Sequence, residues 1–452
     1  MIDTAETTTP TIQQTLTQYP AYKDSGVEGL DAIPAHWKIN QLKRVARMIV
    51  SNVDKHTKSH EILVRLCNYV DVYKNNFITD EITFAHASAS LDEIKKFRIK
   101  INDVIITKDS EDWLDIGVPA LVKYESDDLI CGYHLAILRA DKKITGKYLY
   151  RAFESIFVRT QLSVKANGVT RYGLSHNAIL AAFIPLPPLA EQTRITEFLD
   201  RKTAQIDQAI AQKKQLIELL NERRQVMIHQ AVTRGLDLNV PTKDCVIERV
   251  DEIPAHWQVK RLKFLGEIRY GLGQPPKEKD GGLPLIRATN VERGKIVEKG
   301  LLFVDPSDIP WNRNPELKEN DIIIVRSGAY TADSAIISKK YAGSIAGYDM
   351  VMTPKCINAM FLSFVLLSNY VLQNQLYLLR MRAAQPHLNV EELGETLILV
   401  PPIHEQEAIS KTIMNDNYKV EKAIACKYNE IQKLQELKST LINSAVTGKI
   451  KV

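Results

Sequence analysis

The sequence predicts α/β (α+β) globular domains, two in tandem, each followed by a long helix, with the two helices paired as an antiparallel coiled coil of pseudo-twofold symmetry. Three observations predict it. Ile33-Pro34-Ala35-His36-Trp37 recurs about 220 residues later as Ile253-Pro254-Ala255-His256-Trp257. Pro187-Pro188-Leu189-Ala190-Glu191-Gln192 is answered by Pro401-Pro402-Ile403-His404-Glu405-Gln406, and Ala231-Val232-Thr233 by Ala445-Val446-Thr447, both 214 residues on. After each double proline, Glu191 to about Gln230 and Glu405 to about Ser444 contain neither Gly nor Pro. A solenoid would repeat every ~20 to 50 residues, whereas this period is that of a whole domain with its connector.

In chain order, residues 1–30 read as a flexible N-terminal arm, because Thr4 to Thr17 is rich in Thr and Gln and lies outside the repeat. Residues 31–190 form the first domain. Short β-type runs (Ile62 to Leu66, Asp103 to Thr107, Leu135 to Leu138) mix there with amphipathic stretches such as Gly146 to Leu162. A first spacer helix and linker cover 191–245, the second domain 246–402, and the second spacer helix 403–452. The halves share further pieces: Asp321-Ile322-Ile323-Ile324-Val325 resembles Asp103-Val104-Ile105-Ile106-Thr107, and Gly347-Tyr348 resembles Gly132-Tyr133. Between these anchors they diverge, as in Asp109 to Val118 against Arg326 to Ile336.

The double prolines are helix-start signals, since proline is tolerated in a first turn but not in a helix interior, and the glutamate that follows suits the positive end of the helix dipole. Ile195, Leu199, Ile206, Ile210, Ile217 and Leu220 fall at steps of three, four or seven and make one apolar stripe. Ile409, Ile413, Val420, Ile424, Ile431 and Leu434 repeat it 214 residues on. A helix of about 40 residues extends roughly 60 Å, about twice a small domain's diameter, so it would overhang any single domain. Packing against the other helix buries both stripes, and an antiparallel pair with a domain at either end of a rod is the simplest closure.

At 452 residues the chain exceeds one hydrophobic core, and 45% apolar with 25% charged residues is ordinary globular composition. A net charge of +5 permits a polyanionic partner without requiring one. The five cysteines, Cys67, Cys131, Cys245, Cys356 and Cys426, have no metal-ligand spacing and read as reduced thiols. No charged leader with an apolar core opens the chain, and apolar runs such as Phe361 to Leu367 are too short for a bilayer, so no membrane association and a cytoplasmic location are expected.

A duplicated enzyme should repeat its catalytic residues, and no constellation does. Phosphate-binding loop, His-Glu-x-x-His, Gly-x-Ser-x-Gly, dinucleotide fingerprint and Asn-Pro-Pro-aromatic tetrapeptide are all missing from the sequence. Asp308 with Glu316-Leu317-Lys318 has nuclease-like spacing, but prolines at 306, 310 and 315 suggest a loop and the first half has no counterpart. His36 and His256 are repeated, yet Trp37 and Trp257 beside them read as anchors of a structural cap. An autonomous nuclease or methyltransferase fused to a dimerisation helix, and a coiled-coil scaffold, are the competing readings.

Taken together and in order, these anchors resemble the specificity subunit of type I restriction-modification systems, from about Tyr19 to the end. Tyr19-Pro20-Ala21-Tyr22-Lys23-Asp24-Ser25-Gly26-Val27, both Ile-Pro-Ala-His-Trp segments, Gly168-Val169-Thr170-Arg171-Tyr172-Gly173-Leu174-Ser175 and both Pro-Pro-x-x-Glu-Gln segments carry the resemblance. It implies a non-catalytic chain with two target recognition domains, each reading half of a split, asymmetric sequence in double-stranded DNA, and paired helices acting as a ruler. It also implies two modification (methyltransferase) subunits carrying S-adenosylmethionine for adenine methylation, and restriction subunits supplying ATP-driven translocation and Mg-dependent cleavage. No metal or other cofactor is expected in this chain. In the second half, Arg382-Ala383-Ala384-Gln385-Pro386-His387-Leu388-Asn389 replaces the Gly168 to Ser175 segment, as expected if the domains read different bases.

Base edges are read by side chains with paired donors and acceptors, and phosphates are held by Lys, Arg and backbone amides. Candidate readers therefore lie in divergent loops beside the repeated frame: Lys108, Asn167, Thr170, Arg171 and Tyr172 in the first half, and Arg326, Tyr330, Arg380, Arg382 and Gln385 in the second. Lys43, Arg44, Lys260 and Arg261 are read as repeated framework or phosphate contacts. Two domains on one face of the duplex would place half-site centres about 34 Å apart.

Overall fold

Both pentapeptides fold the same way because proline fixes an extended lead into a tight turn. Leu30–Pro34 pairs antiparallel with Tyr22–Val27, and Glu252–Pro254 with Thr242–Asp244. The Trp37 and Trp257 amides then donate to Pro34 and Pro254 carbonyls, each at 2.9 Å. The strands that follow, Lys38–Gln41 and Gln258–Arg261, pair with Phe183–Leu186 and Leu397–Val400, which run directly into the double prolines. Two anchors some 150 residues apart in sequence thus become neighbours in one ladder.

The computed structural model describes residues 17–380 and 387–452 and divides into two units. Unit 1 is Met1–Lys213 with Asn429–Val452, and unit 2 is Lys214–Tyr428. Unit 1 has a five-stranded sheet in the order Ala46–Val50, Leu135–Ala140, Val104–Thr107, Pro119–Val122, Phe77–Ile78. Unit 2 repeats its first four strands as Gly266–Tyr270, Met350–Pro354, Ile322–Ile324 and Ser334–Ile336. Each unit adds a three-stranded sheet containing one parallel pair, Ile62–Cys67 with Leu129–Cys131 in unit 1 and Glu278–Ile286 with Ile345–Ala346 in unit 2. Gly132 and Gly347 occupy matching places, donating to the last carbonyl of the preceding strand partner, Cys67 or Ile286, at 2.8 Å.

The expected amphipathic stretch Gly146 to Leu162 is two helices, Gly146–Glu154 and Ile156–Ser163. Ser155 breaks it: its backbone is extended and its hydroxyl accepts from the Val158 amide, capping the second helix. The apolar run Phe361 to Leu367 falls in the helix Ala359–Leu366 and is mostly buried in unit 2. Among the described residues no helix is long and apolar enough to cross a membrane.

The long helices span Leu189–Arg234 and Ile403–Val446, slightly longer at both ends than the expected runs. In unit 1 the opening turns of the first helix run antiparallel to the closing turns of the second, as shown by ion pairs Asp207 to Lys438 (2.7 Å) and Lys213 to Glu430. Ile206, Ile217 and Ile431 are buried, and Ile210, Leu220, Val420, Ile424 and Leu434 half-buried. Four stripe residues do more than line a helix seam. Ile195 and Leu199 enter the core of unit 1 with Trp37, Tyr148 and Phe153, and Ile409 and Ile413 that of unit 2 with Trp257, Phe361 and Tyr370.

Each core is completed by the far end of the other long helix. Ile442, Ala445 and Val446 close unit 1, and Ile228, Ala231 and Val232 close unit 2, which is why Ala-Val-Thr is repeated. The sequence-based boundaries treated helix and domain as separate, whereas the compact units divide each helix between them. Gly448 and Gly235 follow the two helix ends at φ +75° and +76°, conformations that suit glycine. A Cβ there would lie 3.2 Å from the ring of Trp37 or Trp257, and at Gly448 also 2.3 Å from Pro34.

The expected arm is shorter than 1–30. Thr17 bridges to Lys451, Tyr19 is buried, and the first hairpin starts at Tyr22, while Thr4 to Leu16 lie outside the described residues. Both tryptophans are fully buried, so Trp37→Ala and Trp257→Ala should each cost about 3–5 kcal/mol. Amide hydrogen exchange should show lost protection in 17–213 and 429–452 for the first substitution and in 214–428 for the second. Uniform loss in both variants would contradict two separately cored units.

Candidate nucleic-acid interface

The frame is held at one junction in each unit. His36 Nε2 lies 2.8 Å from Glu191 Oε2, and the buried Tyr19 hydroxyl also donates to Glu191. In unit 2 His256 Nε2 lies 2.6 Å from Glu405, and the Trp257 indole donates to the same carboxylate at 3.0 Å. Burial opposes the charged form of Glu191, but hydrogen bonds from Tyr19 and His36 outweigh it and hold this carboxyl below its usual range. Burial and the adjacent carboxylate push the Tyr19 hydroxyl well up. The next residues tie in the following layer: Gln192 accepts from the Thr145 amide and Gln406 from the Asn358 amide, both at 2.8 Å. Thr145 and Asn358 are the N-caps of matching helices. The repeated histidines are thus bound into structure, as the cap reading expected.

In unit 1, Lys108 stands where Val104–Thr107 leaves the sheet. Its amide donates to His134 O (2.9 Å) and its carbonyl accepts from Leu174 (2.8 Å). Asn167 and Gly173 exchange two backbone hydrogen bonds, at 3.1 and 2.9 Å, and close a loop between them. Gly168 makes that loop possible: at φ +151° any Cβ would lie 2.0 Å from Arg171 O. The tip exposes Thr170, Arg171 and Val169, the last 91% exposed. Asn167 is exposed too, its amide donating to Lys165 O at 3.2 Å.

Tyr172 departs from the expectation. Its backbone pairs with Ser110 and its ring packs against the core, so it supports the loop from behind. Thr170 and Arg171 border a groove of about 650 Å³ lined also by Tyr69, Tyr73, Asp109, Glu111, Asp112 and Asp115. Tyr69 and Tyr73 stack at 5.5 Å, and Tyr73 donates to Asp115. His134, at φ +68°, contacts Asp109 through Nδ1. Carboxylates repel phosphate and accept from exocyclic amines such as cytosine N4, so this lining suits base edges. Sequence reasoning missed Tyr69, Tyr73 and the four acids because the segments that carry them, after Ile62–Cys67 and Val104–Thr107, share little sequence with the other half.

In unit 2 the matching position is Arg326, whose carbonyl accepts from Leu388 at 2.8 Å as that of Lys108 does from Leu174. Its guanidinium carbon lies 4.5 Å from the centroid of the Tyr270 ring and 4.2 Å from that of Tyr348. Arg326 Nη2 is 3.2 Å from His387 Nε2; a guanidinium can only donate, so Nε2 accepts. Asp349 takes the Arg326 amide at 3.2 Å, and its burial pushes the carboxyl up to about 6. Tyr330, 53% exposed, stands on the loop after Arg326. Arg380 ends the helix Tyr377–Arg380; its side chain, and Arg382 and Gln385 entirely, lie outside the described residues. Tyr348 carried a signal in the repeated Gly-Tyr pair. Tyr270 and His387 carried none.

The proposed repetition of Lys43-Arg44 as Lys260-Arg261 does not hold. Strand registers pair Lys38–Gln41 with Gln258–Arg261, and the 3₁₀ turn Leu42–Arg44 with Leu262–Phe264. Lys43 therefore corresponds to Lys263 and Arg44 to Phe264, while Lys260 and Arg261 correspond to Asn40 and Gln41. All four basic side chains are exposed, and Arg261 is 2.9 Å from Glu395. The nuclease-like pattern is dispersed: Asp308 accepts the Lys277 amide at 2.8 Å, and Leu317 is buried in a core. Among the described residues no three His, Cys, Asp or Glu side chains are placed to hold a metal ion.

Two copies of one frame carrying unlike loops are what a two-part recognition protein needs, and the comparisons agree. The profile of the type I restriction modification DNA specificity domain matches residues 37–219 and again 254–433. The chain belongs to that family. A Methanocaldococcus jannaschii protein assigned as the MjaX type I specificity subunit is 23% identical over 93% of this chain and 95% of its own. The EcoKI specificity subunit of Escherichia coli K12 is 22% identical over 84% and 82%. Among solved structures, a chain of a type I R-M system aligns with TM-score 0.69 at 16% identity, over 92% of this chain and 98% of its own. The HsdS subunit from Thermoanaerobacter tengcongensis aligns with TM-score 0.50 at 17% identity, over the same shares. This is a DNA-specificity component of a restriction-modification system and not one of its catalytic parts.

Asp349 supplies a test of the loop's electrostatics. Its folded pKa is about 6 against 3.8 for the ordinary group. Above both values its charge is buried at a cost, and as pH falls through 6 the folded unit takes up a proton before the unfolded chain does. Asp349→Asn should therefore be more stable than wild type at pH 8, on the order of 2–3 kcal/mol, and the gap should close by about pH 4. Urea unfolding at both pH values checks this; an equal gap at both would mean that burial does not govern this group.

Proposed function

We propose that this chain directs a type I restriction-modification complex to a split, asymmetric target in double-stranded DNA, unit 1 reading one half and unit 2 the other. The observation that carries the proposal is the shared position of unlike side chains. Lys108 and Arg326 leave equivalent strands and are tied by the same backbone bond to Leu174 and Leu388, yet the loops around them differ in nearly every side chain. Asn167, Thr170 and Arg171 are proposed readers in unit 1 beside Lys108, with Tyr172 buttressing them. Arg326 and Tyr330 serve unit 2, together with Arg380, Arg382 and Gln385. Lys43, Arg44, Lys260 and Arg261 serve as exposed cations near the DNA backbone.

On this proposal two modification subunits carry S-adenosylmethionine and methylate adenine, and restriction subunits supply ATP-driven translocation and Mg-dependent cleavage. This chain holds none of these cofactors, and it acts in the cytoplasm, where the DNA is. The long helices fix the number of unread base pairs between the half-sites.

Single-molecule sequencing of methylated adenines, in a host carrying this chain with its modification partner, should return one bipartite motif. Arg171→Ala should relax or weaken one half-site, by about 1–3 kcal/mol for a lost base contact, and leave the other unchanged. Loss spread evenly over both halves would refute the assignment of unit 1 to one half. Inserting one heptad into each long helix should change the gap and preserve both half-sites; altered half-site sequences would exclude a spacing role. The purified chain with DNA, magnesium and S-adenosylmethionine should show no turnover.

A further inference from the structure

Among the described residues, Arg326 is the basic side chain with two tyrosine rings within 4.5 Å of its guanidinium carbon, and two such neighbours limit how the planar group can turn. Each ring is itself fixed or backed: the Tyr270 hydroxyl accepts from the Val390 amide at 3.0 Å, and Tyr348 follows Gly347, bound to Ile286 O. The backbone of Arg326 is pinned at both ends, by Asp349 and Leu388. Its Nε is buried without a partner among the described residues, and the described polar contact of its side chain runs from Nη2 to His387 and not to a carboxylate. A structural arginine is normally spent on a fixed ion pair, as Arg139 is on Asp103 and Arg269 on Asp321. Arg326 is oriented but not neutralised.

The planar donor fork formed by the two Nη groups of an arginine matches one base edge in the major groove. Guanine presents N7 and O6 side by side as acceptors, and arginine pairs with them in its own plane. A phosphate contact needs charge but no fixed plane, so the two tyrosines would add nothing to it. Unit 1 lacks the device. Lys108 replaces the arginine with a point charge, and Val50, at the end of the strand Ala46–Val50, stands where Tyr270 ends Gly266–Tyr270.

Resting on the reading of the chain as a two-part DNA specificity subunit, we propose that Arg326, oriented by Tyr270 and Tyr348, reads a guanine in the half-site of unit 2 and that unit 1 has no equivalent contact. The test uses the complex of the full chain with its modification subunits. Methylome sequencing of Arg326→Ala should show degeneracy at a single position that is G·C in the wild-type motif, with the other half-site intact. Arg326→Met, which keeps the side-chain length and both backbone bonds but removes the donors, should show the same degeneracy, so the result does not depend on the alanine variant folding well. Replacing that guanine with 7-deazaguanine, which lacks the N7 acceptor, should weaken wild-type binding roughly ten-fold and leave Arg326→Met unaffected. Tyr348→Ala should reduce the 7-deazaguanine penalty while Arg326 is still present.

An unchanged motif in both arginine variants, degeneracy at an A·T pair, or an equal 7-deazaguanine penalty in wild type and variant would each overturn the proposal. If the variants instead lose affinity evenly for all sequences with a shallower salt dependence, Arg326 is a phosphate contact and the proposal fails. A wild-type complex that methylates no bipartite motif would remove the underlying reading itself, a result distinguishable from all of these because it needs no substitution.

Discussion

Everything else in each unit hangs on a tryptophan that must be buried and a glutamate that must be hydrogen-bonded by the protein. Trp37 and Trp257 are buried against the glycine that ends one long helix, while Glu191 and Glu405, in the first turn of the other, collect the histidine of the same pentapeptide. Hydrogen bonds to a charged group contribute about 1.5–3 kcal/mol each, and a buried tryptophan contributes several more. These terms fix where strand, helix start and helix end meet. They do not involve the loops after Lys108 and Arg326, which are free to differ because no part of the frame leans on their outward side chains.

The loops are nevertheless not loose. In unit 1 a glycine-dependent turn, closed by two backbone bonds, sets Val169, Thr170 and Arg171 at its tip. Unit 2 reaches a similar end with two aromatic rings beside a cation. On the proposed reading both would lower the ordering cost of recognition, since a backbone or side chain already held in place loses little freedom on binding. The two solutions differ because one unit places a tight backbone where the other places ring stacking.

Much of this was legible in the sequence, for a physical reason. A frame contact is made by the same residue types in both units, so it leaves a repeat: Ile-Pro-Ala-His-Trp, Pro-Pro-x-x-Glu-Gln and Ala-Val-Thr are the three sides of one junction. The long helices were legible through missing Gly and Pro. What was not legible was partnership between distant residues. Nothing local joins Tyr270, Arg326, Tyr348 and His387, and Tyr172 looked like a candidate reader because it adjoins the exposed Thr170 and Arg171. The false match of Lys43-Arg44 with Lys260-Arg261 came from aligning charge where the backbone aligns burial, Leu42 with Leu262. The division of each helix between units was hidden because periodicity shows which face is covered and not by what.

That division has a consequence for how the chain is made. The core of unit 2 is drawn from residues between Lys214 and Tyr428, a single continuous stretch, whereas the core of unit 1 waits for Ile442, Ala445, Val446 and Ile450. On the ribosome the half synthesised first is therefore finished after the other, with its hairpin and tryptophan unsealed until Ile442 to Ile450 have been made. A prematurely terminated product would carry one sound module and one unsealed one, a good substrate for a protease.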